Sequence, residues 1–369
     1  MKAIFLLAFI VIVTSPTGSD AWAEETLFAG QASVWASIAD KNGLGMKYIP
    51  ELRILRPISE AKSIDVEISV NAHTMADLNG LSDLDDNADI DAYRLWLRYQ
   101  SEQWEVRLGL QKISFGSAKI LRALMWFDRL DPRDPLALTD GVYGLLCRYY
   151  FLNNANIWLW GLYANDDPKG LEEFATDKDK TELGGRFQYP VPRGEVAVTY
   201  HRRHIDPAEW NRKMTSPMDD GMENRYAIDG SWDIGIGLWF EVSVGKIRID
   251  SDESRWEEFF TVGTDYTFDI GPGIHILYEH FIQSTGPEFG EQTNQYRLSA
   301  VTADFNATLL DSITFIGLYD WKEEKFYPFF DWQRTYDNWK INISAFLSRA
   351  DEQRMFSGDG IQIMLTYNH

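Results

Sequence analysis

The feature that most constrains this chain is a period of two that persists, run after run, over almost its whole length. Tyr93, Leu95, Leu97 and Tyr99 alternate with Arg94, Trp96, Arg98 and Gln100. After Ser101-Glu102-Gln103 the pattern resumes, with Trp104, Val106, Leu108 and Leu110 set against Glu105, Arg107, Gly109 and Gln111. Such alternation places apolar groups on one face of a strand and polar groups on the other. About eighteen runs of this kind divide the chain, each near the ~10 residues that a tilted membrane strand needs. They cover 27–37, 46–56, 63–73, 91–100, 104–114, 141–151, 156–164, 181–190, 195–204, 223–232, 235–246, 256–268, 273–282, 294–304, 311–320, 325–335, 338–348 and 359–367.

The connections settle which face is which. Those after even runs are short, as at Ser101–Gln103, Val191–Gly194 and Tyr336-Asp337, whereas most after odd runs are long and polar, as at Asn165–Lys180 and Asp206–Met222. A soluble sandwich has no reason to keep that rhythm. It is the signature of an all-β, transmembrane, antiparallel up-and-down β-barrel of about 18 strands, with short periplasmic turns and long extracellular loops. The apolar face then looks at lipid and the polar face at the lumen. Ile64, Val66, Ile68, Val70 and Ala72 are one outward row; Ile236, Leu238, Phe240, Val242 and Val244 are another. Aromatics near run ends (Tyr93 and Tyr99, Tyr226 and Trp232, Phe260 and Phe268) suit interfacial girdles, which the 14% aromatic share can supply.

Residues 1–23 read as a signal peptide: Lys2, an apolar run from Ala3 to Val13, then Ala21-Trp22-Ala23. The expected mature chain, 24–369, is a single outer-membrane barrel carrying a long, pore-constricting loop at 116–140. One cysteine, Cys147, excludes an intrachain disulfide and C-x-x-C-H haem attachment. It shares the outward parity of Leu145 and Tyr149. A balance of 35 Lys+Arg against 56 Asp+Glu argues against a nucleic-acid partner. Outer-membrane lipid and lipopolysaccharide, a small hydrophilic solute and a periplasmic protein are the partners that such a barrel admits.

Placing apolar groups outward fixes the inward charges. Runs four to eight aim Arg94, Arg98, Arg107, Arg148 and Arg186 inward; runs ten to sixteen aim Asp229, Glu241, Asp265, Glu279 and Asp331 inward. A basic wall facing an acidic one orients charged or dipolar solutes; the alternative is that these charges pair with Asp65, Glu67 or Glu105 and fill space. In the long loop, 119–127 has the apolar spacing of a short helix, and 128–135 is rich in turns. So many large apolar groups are wasted in water, so the loop is expected to enter the barrel, with Arg122, Trp126, Arg129 and Arg133 near the constriction; a surface lid packed on neighbouring loops is the alternative. Asp83, Asp85, Asp86, Asp89 and Asp91 form an acidic cluster whose spacing is not that of an EF-hand, so Asp83, Asp85, Asp86 and Asp89 are a weak metal site at most. His73, His201, His204, His275 and His280 fall on separate runs, with no H-E-x-x-H and no G-x-S-x-G; no catalytic residue and no cofactor is expected.

The segment Arg107-Leu108-Gly109-Leu110-Gln111-Lys112-Ile113-Ser114-Phe115-Gly116, followed by its long loop, resembles Gram-negative porin-like families, the alginate-export-type porins among them. Those carry a G-R-Q…W-G pattern before a pore-facing loop; here Leu110 and Phe115 stand in place of the Arg and Trp. The resemblance implies a solute pore of about eighteen strands in the bacterial outer membrane and carries over no substrate. A sleeve or assembly partner for another exported protein is the first alternative, and a barrel-embedded lipid hydrolase the second.

Overall fold

The structure, a computed structural model, describes residues 25–39, 42–77, 88–214, 221–248, 254–291, 293–347 and 358–369. The leader read at 1–23 lies outside the described residues, as do Asp83, Asp85 and Asp86. Eighteen strands follow one another: β1 (Glu25–Ile38), β2 (Gly43–Ser59), β3 (Lys62–Asp77), β4 (Asp89–Gln100), β5 (Trp104–Gln111), β6 (Val142–Tyr150), β7 (Asn156–Leu162), β8 (Glu182–Val191) and β9 (Gly194–Ile205) form the first half. The second half is β10 (Gly221–Asp233), β11 (Gly237–Arg248), β12 (Ser254–Phe268), β13 (Ile274–Gly286), β14 (Asn294–Asn306), β15 (Asp311–Asp320), β16 (Lys325–Thr335), β17 (Trp339–Leu347) and β18 (Asp359–Asn368).

Every strand pairs antiparallel with its sequence neighbours, and β18 returns to β1 in register from Gln31↔Asn368 to Ile38↔Ile361. The sheet is therefore a closed ring without edges, which satisfies the backbone inside a bilayer. Leu159, Val198, Val262, Ile276, Ile361 and Ile363 stand exposed on the outer wall. Tyr189, Trp104, Tyr266, Phe268 and Trp339 are exposed toward the strand ends, where girdles sit. Among the described residues no helix is long and apolar enough to cross a membrane; this chain crosses with strands.

The terminal strand closes on an unusual residue. His369 exchanges both backbone hydrogen bonds with Gly30 and packs against Phe28, Tyr48 and Tyr367, so imidazole occupies the place of an interfacial aromatic ring.

Three local expectations are corrected. The fifth strand ends at Gln111 rather than 114, because the chain turns into the lumen there. At Tyr93 the register slips, with Ser69 opposite Arg94 but Val70 opposite Ala92, so this β-bulge takes Tyr93 out of the regular outward row. No helix forms over 119–127. The one described helix is α1 (Pro207–Lys213), between β9 and β10.

Candidate functional site: the barrel lumen

Segment 112–141 leaves β5, crosses the interior to β11–β13 and returns to β6. Two inward carboxylates hold it there. Glu279 on β13 accepts from the backbone N–H of Lys119 (2.7 Å), Ile120 (3.0 Å) and Leu121 (2.6 Å), and from Trp239 Nε1 (2.9 Å). Glu241 on β11 accepts from the amides of Ala118 (2.8 Å) and Leu124 (2.9 Å). Gly116 lies at φ +99°, and a Cβ there would collide with Glu241 Oε1, so only glycine lets the carboxylate in so close. These bonds also explain the missing helix: amides turned toward two carboxylates are not available to a helical ladder. Each charge-assisted bond contributes about 1.5–3 kcal/mol. Thr261 Oγ1 donates to Leu121 O, and Trp126 Nε1 donates to Ser243 Oγ, tying the segment to the same wall.

The near side of the segment is apolar. Ile113, Phe115, Leu124, Trp126 and Phe127 pack with Leu146, Trp160 and Leu162 of β6 and β7 in a buried cluster inside the barrel. Rings of Phe127 and Trp160 meet edge to face at 5.5 Å. A second inner segment, 163–181, stacks on the first through Leu171 N and Met125 O (3.0 Å). Its charges sink into a buried network. Glu172 meets Arg203 and Arg225 at 3.1 Å each; Lys169 meets Glu172 (3.3 Å) and Glu182 (3.2 Å); both arginines also bind Glu223. His201 Nε2 lies 3.1 Å from Glu182. Breaking such a pair strands a buried charge, at about 3–5 kcal/mol.

All ten charges expected inside point inward, yet they divide into two populations. Glu241 and Glu279 are 0% exposed under the loop, and Asp229 is locked to Arg186 by bonds of 2.6 and 2.8 Å. Arg94 is buried too, donating to Thr139 O (2.7 Å) where the loop returns. These five serve the wall and the loop rather than lining a water path, which corrects their expected role.

The other five reach solvent in the lumen. Arg98 pairs with Asp65 (2.7 Å), while Arg107 (3.1 Å) and Arg148 (3.4 Å) share Glu105, so two guanidiniums rest on one carboxylate. Trp96 and Trp158 support them, with Arg107 at 4.7 Å and Arg148 at 3.8 Å from the ring centroids. Across the barrel, Asp265 (3.2 Å) and Asp304 (3.9 Å) share His275, so two carboxylates face one imidazole. Asp331 accepts from Ser344 Oγ and Asn342 Nδ2, both neutral donors, and among the described residues no cation pairs with it. In a ring of eighteen, β5 and β14 lie on opposite sides, so the cation-rich and anion-rich groups face one another near the short-turn end.

Of the four loop residues expected at a constriction, Arg122 is tied to Asp128 (2.7 Å) and to Phe115 O, Trp126 is buried, and Arg133 clasps Asp131 (2.8 Å). Arg129 alone of the four is exposed.

The whole-molecule shape has known counterparts. The anion-selective porin of Comamonas acidovorans superposes with a TM-score of 0.54 at 9% identity, over 94% of this chain and 100% of that one. OccAB1 of Acinetobacter baumannii gives 0.55 at 9% identity over 94% and 95%, and OccD3 (OpdP) of Pseudomonas aeruginosa gives 0.57 at 8% over 95% and 93%. The fold is that of the outer-membrane porins. No family model matches the sequence, and no curated protein matches it. Identities this low speak for the porin architecture alone; the likeness of 107–116 to alginate-export-type porins gains nothing from them.

Within that porin fold, several interior residues escaped sequence reading. Arg203 and Arg225 share inward parity with His201 and Glu223 and were legible on that ground; Lys169 and Glu172, in a loop, were not. The outer wall also brings together an unforeseen pair, His280 Nδ1 and Ser299 Oγ at 2.8 Å. Ser299 is buried and also accepts from Trp321 Nε1 (2.9 Å), so the pair anchors an indole rather than presenting a hydroxyl to lipid.

Proposed function

We propose that the chain is an outer-membrane porin that passes small hydrophilic solutes through a lumen narrowed by segment 112–141. One observation carries this reading: the segment is fastened across the interior by Glu241 and Glu279, and the half-exposed inward charges on either side of it are of unlike sign. On one side Arg107 and Arg148 exceed their carboxylate; on the other Asp265 and Asp304 exceed their imidazole. A transverse field of this kind orients dipolar or charged solutes as they pass. Arg98, Arg107 and Arg148 thus form the basic wall, and Asp265, Asp304 and Asp331 the acidic wall. Lys112, Lys119 and Arg129 are the exposed cations that the segment offers to the solute.

Planar-bilayer recording of the refolded protein under a salt gradient tests this. Stable open steps are expected, with larger conductance once residues 117–139 are deleted. Arg107→Gln with Arg148→Gln should move the reversal potential toward cation preference, and Asp265→Asn with Asp304→Asn toward anion preference. A deletion variant that folds but conducts as before would refute the constriction. A reversal potential that answers to one wall only would refute the transverse field.

A further inference from the structure

Charged side chains are expensive on the lipid face of a barrel, yet a few stand there among the described residues, Arg202, Lys246, Glu258 and Arg297 among them, and Arg297 is the one beside a recess. Arg297 on β14 lies opposite Ile282 of β13, while the alternate residues Tyr296 and Leu298 pack inward against the loop cluster around Ala123. Arg297 is exposed, and among the described residues no carboxylate pairs with it. Its height is fixed by β15: Trp321, the residue after that strand ends, donates its backbone N–H to Arg297 O (3.2 Å). The arginine therefore sits at the long-loop, outer-leaflet interface. The bond from Trp321 Nε1 to Ser299 and the contact of His280 with Ser299 hold the indole beside it, as interfacial tryptophans are held.

The wall next to Arg297 is hollowed. Val242, Phe260, Ile282 and Arg297 form one cross-strand row; Val244, Glu258, Ser284 and Gln295 form the row nearer the long loops. These rows frame a recess of about 230 Å³ whose floor is Val242, Val244, Phe260 and Ile282. The recess ends on the loop side at a polar rim that includes the Glu258 carboxylate, which accepts from Gly290 N–H and Ser284 Oγ, and Arg297 stands outside the lining, next to Ile282. We propose that this surface binds a phosphorylated glycolipid of the outer leaflet, lipopolysaccharide, with a phosphate on Arg297 and an acyl chain in the recess. Charge complementarity selects the phosphate, and the position at the long-loop end selects that leaflet. A cation near an anionic interface contributes about 1 kcal/mol, or roughly five-fold in affinity.

Native mass spectrometry of the full barrel titrated with lipid A, dephosphorylated lipid A or phosphatidylglycerol decides the matter. Wild type should retain lipid A roughly five-fold better than Arg297→Gln, by the same constant. A second variant, Ile282→Trp, fills the recess without touching the charge and should weaken all acylated ligands. Equal retention by wild type and Arg297→Gln, or equal binding of the dephosphorylated lipid, overturns the proposal. Phosphatidylglycerol binding as tightly with the same arginine dependence overturns the glycolipid assignment. Single-channel conductance of Arg297→Gln should match wild type, which separates this site from the pore.

Discussion

Replacing Glu279 with glutamine changes one oxygen for an amino group and nothing in volume, yet it strikes the point on which the inner loop hangs. One oxygen of the carboxylate takes Lys119 N–H and Trp239 Nε1–H; the other takes the amides of Ile120 and Leu121. A glutamine keeps a single acceptor oxygen, so at best two of these four donors stay satisfied while the new NH₂ confronts the other two. Two charge-assisted bonds at about 1.5–3 kcal/mol each set an upper figure near ~6 kcal/mol. Water entering the lumen beside the loop re-solvates part of the loss, leaving an expected cost of about 2–4 kcal/mol for local opening. At ~1.4 kcal/mol per decade this is roughly a 30- to 1,000-fold rise in the open population. Hydrogen exchange read by mass spectrometry on the folded barrel should show it as lost protection at Ala118 to Leu124, with β11–β13 unchanged. Channel recordings should show added flicker toward a higher conductance. If Glu279→Gln folds and those amides exchange as slowly as in wild type, the carboxylates do not hold the loop and the reasoning fails.

Other perturbations probe the same interior. Arg186→Ala leaves Asp229 buried without its partner and should cost about 3–5 kcal/mol, with Asp229→Asn restoring much of it in a double-mutant cycle of unfolding free energies. Trp126→Phe loses the bond to Ser243 Oγ and should cost about 1 kcal/mol, whereas Trp126→Ala opens a cavity in the inner cluster and should cost about 3–5 kcal/mol. Gly170 lies at φ +51° against Met125 O, so Gly170→Ala should part the two inner segments and expose 163–181 to protease while the strands keep their circular dichroism. Burial holds the Asp134 carboxyl above the usual carboxylate range, against the amides of Leu136 and Leu138 that pull it down. Because the folded state holds this proton more tightly than the unfolded one, its contribution is fullest below the ordinary carboxyl value and is lost as pH rises through the raised one. Loop protection relative to Asp134→Asn at each pH should therefore fall across that window and then level off; a flat ratio would refute it.

The strand plan was open to reading because two solvents impose it: lipid outside and water inside force a change of chemistry at every second residue. β15 and β16 fall on their expected limits for this reason. What periodicity cannot say is whether an inward charge is wet. Glu279 and Asp265 share the same parity and the same chemistry, but one lies under the loop and the other faces water, and the difference comes from the path of residues 118–124. The helix expected at 119–127 failed similarly, since apolar spacing counts side chains while the outcome turned on backbone amides. The helix that does form, α1, lies in a stretch read only as a long polar connection, although Asp206-Pro207-Ala208-Glu209 carries its signal: Asp206 caps Ala208 N at 2.8 Å, proline opens the first turn, and a glutamate follows three residues after the cap.

The acidic residues of the interior thus answer a structural demand before any demand of transport. A segment that enters a barrel without secondary structure brings its amides with it, and each one left unpaired in that setting costs about 1–3 kcal/mol. A strand wall can offer only side chains, because its own backbone groups are spent on the ladder. A carboxylate is the economical answer: one glutamate meets three consecutive amides, as Glu279 does, where a serine or glutamine meets one or two. The charge it brings is tolerable because five backbone N–H dipoles and the Trp239 indole N–H converge on Glu241 and Glu279 together. Once those glutamates are spent, the half-exposed charges that remain are those at the short-turn end, where Arg107 and Arg148 outnumber Glu105 and Asp265 and Asp304 outnumber His275. In the pore proposed above, the loop therefore acts twice, by the space it occupies and by deciding which charges a solute meets.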